Sequence, residues 1–453
     1  MTKVSPSEQR ELAVHVLRKL REAGYRALWA GGCVRDQLLG RTPNDYDVAT
    51  SATPPEIRQV FGRRHTLEIG AAFGVVAVLG GKGAGMVEVT TFRRDAQYSD
   101  GRHPDAIVFS TPEDDAQRRD FTINGLFYDP LEERVIDYVG GVADLERRLV
   151  RAIGDPRARF SEDKLRMIRA VRIAAGFDFA LDEATLKAID EMANTINVVS
   201  PERIAQEMRK MLVHAQRAEA VELLHRSGLL QALLPELLTL ISDEVDVSRT
   251  GDPTPHGVDL WRHTRQVLAA LREPTFPLAL AALAHASAEQ PPHADNPQQV
   301  ESARAQAVQT VTTICERWRL SNKEQDRATW LVEHHGRLTD AARQPWSTLQ
   351  PLLVAAGGSE LVALHEAEAA DAADVALQHA ADVEFCRARL AWPQDQLIPP
   401  PLISGDDLAR HGVPKGAIYR MLLERVRNAQ LDGQILDQRQ ALAVVDRLLA
   451  EKG

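Results

Sequence analysis

Ala30-Gly31-Gly32-Cys33-Val34-Arg35-Asp36, followed by Asp45-Tyr46-Asp47-Val48-Ala49-Thr50, decides how this chain is read. In an extended segment side chains alternate faces, so the carboxylates of Asp45 and Asp47 project together. Held side by side they repel, and burying them unpaired costs more. A hard divalent cation removes both problems. Magnesium takes oxygen ligands, commonly one or two carboxylates plus the phosphates of a nucleotide. Gly31 and Gly32 let backbone approach a triphosphate closely, and a helix expected over Val34 to Leu39 would turn its first amides toward anions. An Asp-x-Asp pair also occurs at ordinary turns and strand ends, so the reading rests on what accompanies it.

The chain as a whole sets wide bounds. Its 453 residues exceed one ordinary core and predict several domains. It is 44% hydrophobic and 26% charged, the composition of a globular protein, with no apolar run of membrane-spanning length. The opening Met1-Thr2-Lys3-Val4-Ser5-Pro6 lacks the apolar core of a signal peptide, so a cytoplasmic location and no membrane association are expected. Three widely spaced cysteines, Cys33, Cys315 and Cys386, predict reduced thiols with no disulfide partner. The net charge of -10 argues against non-specific coating of nucleic acid, while leaving room for a local basic stripe that holds RNA.

The patterning changes along the chain. Leu12 to Ala23 has helical periodicity and Tyr25 to Ala30 reads as a strand. Gly74 to Leu79 and Met86 to Phe92 read as a hairpin joined through the glycine-rich Gly80 to Gly85. Beyond Arg151 strand signals nearly vanish, and amphipathic patterns rich in Ala, Leu, Arg and Glu continue to the end. Proline-rich breaks fall at Glu289 to Pro297 and Ile398 to Pro401. The fold class expected is α+β, a mixed-sheet head followed by an all-helical remainder.

Three further features accompany the aspartates. Glu88 sits in the strand Val87-Glu88-Val89-Thr90-Thr91-Phe92, an odd choice unless it faces a site or solvent; a third carboxylate there would orient ligands or take a hydroxyl proton. Arg118-Arg119-Asp120-Phe121-Thr122-Ile123-Asn124 offers guanidinium forks for phosphate, and Asp120 and Asn124 as acceptors for ribose hydroxyls; a plain charged helix start is the other reading. In Ser161-Glu162-Asp163-Lys164-Leu165-Arg166, running on to Arg169 and Arg172, the residues Leu165, Ile168 and Val171 form a buried stripe. Asp163, Arg166 and Arg169 recur on another face. Locally this reads as a helix capped by Ser161 with Asp163 paired to Arg166. The sharper reading has that carboxylate and guanidinium meeting the Watson–Crick edge of a base.

Taken in order, these segments resemble the class II tRNA nucleotidyltransferase and bacterial poly(A) polymerase family. Asp137-Tyr138-Val139-Gly140-Gly141 through Asp144-Leu145 and Pro201-Glu202-Arg203-Ile204-Ala205 through Glu207 add to the resemblance. It implies a polymerase-β-like nucleotidyltransferase head over residues 1–150, a helical neck over 151–235, a body over 236–345 and a tail over 346–453. Asp45 and Asp47 would hold two Mg2+ ions, with Glu88 as the third catalytic acid. Gly31, Gly32 and Arg35 would lie against the triphosphate, and Arg119, Asp120 and Asn124 near phosphate and ribose. Glu162, Asp163 and Arg166, with Arg169 beside them, would select the base. The implied reaction joins CMP or AMP from CTP or ATP to a tRNA 3′ end, with pyrophosphate leaving.

The product stays open between full CCA addition, addition of the terminal A alone, and poly(A) synthesis. Arg93 to Gln117, containing Tyr98, Asp100, Arg102 and Pro104, resembles the loop needed for adding A, which argues against CC-only addition. Ile69 to Val76 and the absence of a basic tail favour tRNA over arbitrary RNA. Pro401 to Leu408, Gly412 to Gly416 and Asn428 to Gly433 resemble the tail that docks on the tRNA elbow. Between Pro255 and Leu338, His263 and His285 resemble part of an HD phosphohydrolase. Ala286 stands where that pattern needs a metal-binding aspartate, so a core without its active centre is expected, with His334 and His335 solvated.

Overall fold

A computed structural model describes residues 5–70, 74–81, 85–95, 107–241, 260–288, 297–369 and 373–451. Two compact units result: Met1–Met211 with Glu219–Pro235, and Leu212–Ala218 with Glu236–Gly453.

The first unit begins with α1 (Pro6–Glu22), which starts earlier than its apolar periodicity suggests. Ser5 and Glu8 form a reciprocal capping box and Pro6 takes the first turn, so capping extends the helix beyond its buried face. That face, Ala13, Val16, Leu17 and Leu20, is fully buried. The strands are β1 (Ala27–Ala30), β2 (Asp47–Thr50), β3 (Thr66–Gly70), β4 (Val75–Leu79), β5 (Met86–Thr91), β6 (Arg93–Asp95), β7 (Ile107–Phe109), β8 (Phe127–Asp129) and β9 (Arg134–Ile136). Seven of them form one sheet in the order β3-β4-β5-β2-β1-β8-β9. Only β2 and β5 run parallel among its neighbours, so the sheet is mixed. All four residues of the interior strand β1 are buried, which explains its continuous apolar run. The expected hairpin is β4-β5, closed by Gly80 N–H donating to Gly85 O at 2.9 Å. β6 pairs with β7, and residues 96–106 of the loop expected for A addition lie outside the described residues.

Short helices complete the head: α2 (Gly32–Leu38), α3 (Pro54–Phe61), α4 (Pro112–Gln117) and α5 (Gly141–Glu146). The turn into α5 is built around Asp137, whose carboxylate accepts from the backbone amides of Val139, Gly140, Gly141 and Val142 at 2.9–3.1 Å. A side chain at Gly141 would meet Thr122 O at 2.2 Å, so the close approach requires glycine.

Helices then take over as expected: α6 (Pro156–Glu162), α7 (Leu165–Phe177), α8 (Glu183–Met192), α9 (Pro201–Leu212), α10 (Arg217–Arg226) and α11 (Leu229–Leu233). Among the described residues the one later strand pairing is β10 (Leu149–Val150) with β11 (Ala180–Leu181), two residues each. One sequence expectation is corrected here. Ser161 does not cap the helix that carries Arg166; it lies inside α6, and its hydroxyl donates to Arg157 O. Asp163 leaves the helical region between α6 and α7 and accepts from Leu165 N–H at 3.1 Å, so the aspartate does the capping.

The second unit is helical throughout its described part: α12 (Leu260–Ala270), α13 (Phe276–Ala284), α14 (Pro297–Arg317), α15 (Asn322–His334), α16 (Trp346–Val354), α17 (Gly358–Glu368), α18 (Ala373–Leu390), α19 (Gln394–Leu397), α20 (Gly405–Arg410), α21 (Ile418–Leu431) and α22 (Gln438–Ala450). Every described residue of α13 but one is buried, in keeping with its almost unbroken apolar sequence. The last three helices close on their own cluster, centred on Leu408, Leu422, Val426, Ala441 and Val445.

Candidate active site

The paired strands β2 and β5 bring the acids together. Asp47 stands directly opposite Glu88 in register, and in parallel strands residues so paired share a face. Both retain solvent contact, whereas their neighbours Val48, Val87 and Val89 are buried. The Asp47 carboxyl is nonetheless crowded. Burial first, then the charges of Asp45 and Glu88, push it up to about 6, with Arg119 pulling the other way. Asp45 and Glu88 thus both act on the Asp47 carboxyl. Cys33, beneath them, is buried and its thiol is raised to about 12, so it stays protonated.

Beside Asp47 opens a cleft of about 460 Å³, floored by Gly31 and Gly32 and faced by α7. Gly31 has φ +77°, and a Cβ there would lie 2.8 Å from Arg119 Nη1. Glycine is thus demanded twice, by the backbone conformation and by the approach of Arg119. Arg35, Asp47, Arg119, Asp120, Asn124, Asp163, Arg166 and Arg169 all line the cleft, so it gathers residues from four separated motifs. Asp45 and Glu88 flank Asp47 without lining it, and Glu162 is likewise not part of its wall.

Each arginine is fixed by a carboxylate. Arg35 is held by Asp36 at 2.7 Å and donates to Asn124 Oδ1 at 2.7 Å; its guanidinium also stacks 4.2 Å from the Phe177 ring. Arg118 and Arg119 share the fully buried Asp115, at 2.7 and 2.9 Å. Arg169 grips Asp120 at 2.6 and 3.0 Å, and Asn124 Nδ2 donates to the same aspartate at 3.1 Å. Burial alone would raise the Asp120 carboxyl, but Arg169, Asn124 and Arg166 outweigh it and hold it at about 2. Ionisation of Asp120 is therefore complete at any physiological pH.

The segment from Glu162 to Arg166 differs from its local sequence reading. Asp163 does not pair with Arg166. It is held two-point by Arg203, at 2.6 and 3.2 Å, while Arg166 binds Glu162 and donates to Arg159 O at 3.0 Å. The break at Asp163 turns its carboxylate away from the α7 register, which is why spacing by three misleads. Glu162 is committed to Arg159 and Arg166 and so orients a guanidinium.

Arg118, read in the sequence as a phosphate fork beside Arg119, lines the cleft, and so do Arg172 and Arg203, to which sequence reasoning assigned no site role. Arg172 is anchored by Glu207 at 2.6 Å, and Glu207 is kept low by Arg172, Arg169 and Lys210 against burial. The signal was present for Arg172, which continues the Arg166-Arg169 spacing by three. Arg203 lies in the Pro201 to Glu207 motif already singled out in the sequence, but its pairing with Asp163 and its place in the cleft come only from the tertiary structure.

Comparison with known proteins agrees with this geometry. Residues 27–151 match the family model described as "Poly A polymerase head domain", and residues 178–240 the one described as "Probable RNA and SrmB- binding site of polymerase A". A CCA-adding enzyme of Limosilactobacillus reuteri is 47% identical over 206 residues, 45% of this chain and 49% of that protein. Poly(A) polymerase I of Haemophilus influenzae is 36% identical over 255 residues, 54% of this chain and 55% of that protein. The chain thus spans about half the length of the curated relatives it matches. The solved structure of Bacillus stearothermophilus CCA-adding enzyme in complex with CTP is similar over 99% of this chain and 98% of that one, with a TM-score of 0.70 and 27% identity. Among the described residues no helix is long and apolar enough to cross a membrane.

Proposed function

We propose that the chain is a member of the tRNA nucleotidyltransferase and poly(A) polymerase family and that it adds CMP and AMP from CTP and ATP to tRNA 3′ ends, using Mg2+ and releasing pyrophosphate. The observation that carries this reading is the register pairing of Asp47 with Glu88 beside an arginine-lined cleft. The crowded acids fit a divalent cation: Asp47 is pushed up by burial and by its acidic neighbours, a repulsion that a cation relieves. Asp45 and Asp47 are the residues that would hold it. When bound, the metal supplies charge neutralisation on the triphosphate and acidifies the attacking hydroxyl.

The remaining chemistry belongs to the side chains. The 3′ oxygen forms a bond to the α-phosphorus as the bond to pyrophosphate breaks, and Glu88 takes the hydroxyl proton. Arg35 and Arg119 bind phosphate oxygens, with Gly31 and Gly32 giving the triphosphate its close seat. Asp120 and Asn124 accept from and donate to the ribose. Asp163 and Arg166, each braced from behind, present an acceptor and donors to the base, with Arg169 holding Asp120 and Glu162 holding Arg166 in place. Little covalent work falls to the protein, so prior orientation of these groups supplies the rate.

The same reading assigns the head to residues 1–150, the neck to 151–235, the body to 236–345 and an elbow-binding tail to 346–453, acting in the cytoplasm. Poly(A) synthesis is the second reading, favoured by the Haemophilus relative. One experiment separates the outcomes. Untagged protein with Mg2+ is given tRNA lacking its three terminal nucleotides, or tRNA ending in CC, with CTP, ATP or both, and products are resolved at single-nucleotide length. Extension of the shorter substrate by CCA is expected. A single A on the CC substrate alone would narrow the activity to A addition, a long ladder would favour poly(A) synthesis, and no incorporation would overturn the proposal.

A further inference from the structure

The second unit contains a cluster of imidazoles and carboxylates that the proposed reaction does not use. His365 and Glu368 lie three apart on α17, and His379 and Asp382 three apart on α18, so each pair shares a helix face, and the two helices pack together. One ligand atom each from His365, Glu368 and His379 lies within 4.8 Å of the others. His365 is only 3% exposed and Glu368 only 8%. Neither nitrogen of His365 makes a hydrogen bond, nor does Nδ1 of His379, although all three atoms are shut off from solvent. Buried polar atoms without partners are rare and call for an occupant.

From these residues we infer a binding site for a zinc-class divalent cation, liganded by His365, Glu368 and His379 and clamping α17 to α18. The donor set is two imidazoles and a carboxylate, which suits zinc. Ligand atoms around a tetrahedral zinc stand about 3.4 Å apart, so modest side-chain rotation closes the set.

The surroundings orient the ligands. His365 Nε2 faces Asp382 Oδ2 at 3.6 Å, and that aspartate is fixed by the backbone amides of Asp340 and Ala341 at 3.0 and 2.8 Å. A carboxylate behind one ring nitrogen leaves the other as the lone-pair side, and His365 Nδ1 faces Glu368 Oε2 at 3.6 Å. His335 Nε2 approaches Glu368 Oε1 at 2.8 Å as a charge partner without hydrogen-bond alignment, and Oε2 is the oxygen that faces His365. His379 is only half-buried and provides an entry path. The ligand set uses none of the His263–His285 pair, whose ring nitrogens meet at 3.1 Å beside Ala286, although His335 stands between the two, its ring centroid 5.1 Å from that of His285. Expected solvation of His334 and His335 is corrected by the same geometry. His335 is engaged with Glu368, and His334 stacks on Trp330 with ring centroids 4.5 Å apart.

The test uses the full, untagged chain, stripped with chelator and passed through metal-free buffer. Zn2+ binding is measured by competition with a chromophoric chelator, and thermal stability with and without Zn2+. The wild type should take up one tightly bound equivalent and melt at a higher temperature with it. His379→Gln, a substitution at the half-buried position, should bind at least tenfold more weakly and lose the shift, while Asp47→Asn in the head should keep both. Co2+ bound to the wild type should show the visible absorption of four-coordinate nitrogen and oxygen ligation, a readout that needs no variant. Absence of tight binding in the wild type, or undiminished binding in His379→Gln, overturns the inference. So does binding that His263→Ala abolishes and His379→Gln leaves intact, because the site would then lie on other imidazoles.

Discussion

The arginine-lined cleft of the first unit and the histidine cluster of the second handle half-buried charge in opposite ways. In the cleft every guanidinium has a carboxylate behind it. Asp120 and Glu207 are held low by these pairs even though burial raises them. Such a surface is oriented before any ligand arrives, and its guanidinium forks suit phosphate oxygens. In the cluster, Asp382 spends its oxygens on backbone amides while the nitrogens of His365 go unpaired. Paired ions make a wall; unpaired donors wait for a ligand. Asp45, Asp47 and Glu88 are the part of the first unit that behaves like the second, a set of like charges in which Asp45 and Glu88 press on Asp47.

The largest effect should come from breaking the acidic set. Asp47→Ala is expected to lower nucleotide incorporation at least a thousandfold, while far-UV circular dichroism and the melting curve stay close to wild type, because a solvent-touching ligand carries little stability. Retention of a tenth of the activity would show that Asp47 holds no essential cation.

Asp115 sharpens the contrast from the paired side. It is fully buried and serves both Arg118 and Arg119, and those two guanidinia hold it low against burial. Asp115→Ala strands two cations, so urea denaturation should show a loss of about 3 kcal/mol, with weakened nucleotide binding. A loss under 1 kcal/mol would mean that the arginines find other partners and that the wall is less rigid than its geometry implies.

Much of this was legible in the sequence because the chemistry-bearing residues sit in short motifs whose local conformation is set by neighbours. Gly31 reports a positive φ, alternation in β5 puts Glu88 on the open face, and Leu165, Ile168 and Val171 mark the inward side of α7. What sequence missed is partner choice. Spacing by three offered Asp163 to Arg166, but a helix break at Asp163 handed it to Arg203, forty residues on in the chain. The same limit explains the histidines. His335 at the end of α15, His365 with Glu368 on α17, and His379 on α18 come from three helices, and only packing reveals that they meet. The outer bounds of α1 were missed for another reason, since a capping box and proline carry no apolar signal.

The smallest effect separates repulsion from ligation at Asp47. Its folded-state carboxyl titrates near 6, above the ordinary carboxylate range, through burial and the charges of Asp45 and Glu88. The unfolded chain gives up that proton more readily. The stabilising contribution of the protonated form is therefore complete below about pH 4 and is lost as pH rises through 6. Asp47→Asn cannot ionise, so without divalent cations it should be the more stable protein at pH 8 and nearly equal to wild type at pH 4. Solvent contact at Asp47 screens the effect, keeping the difference on the order of 1 kcal/mol or less. With Mg2+ present the order should invert at pH 8, because only the carboxylate gains from the cation. Wild-type incorporation should correspondingly fall as pH drops through 6, where protons compete for the same oxygens. A melting difference that ignores pH would mean that Asp47 carries no repulsion, and the contrast between the acidic set and the paired wall would fail.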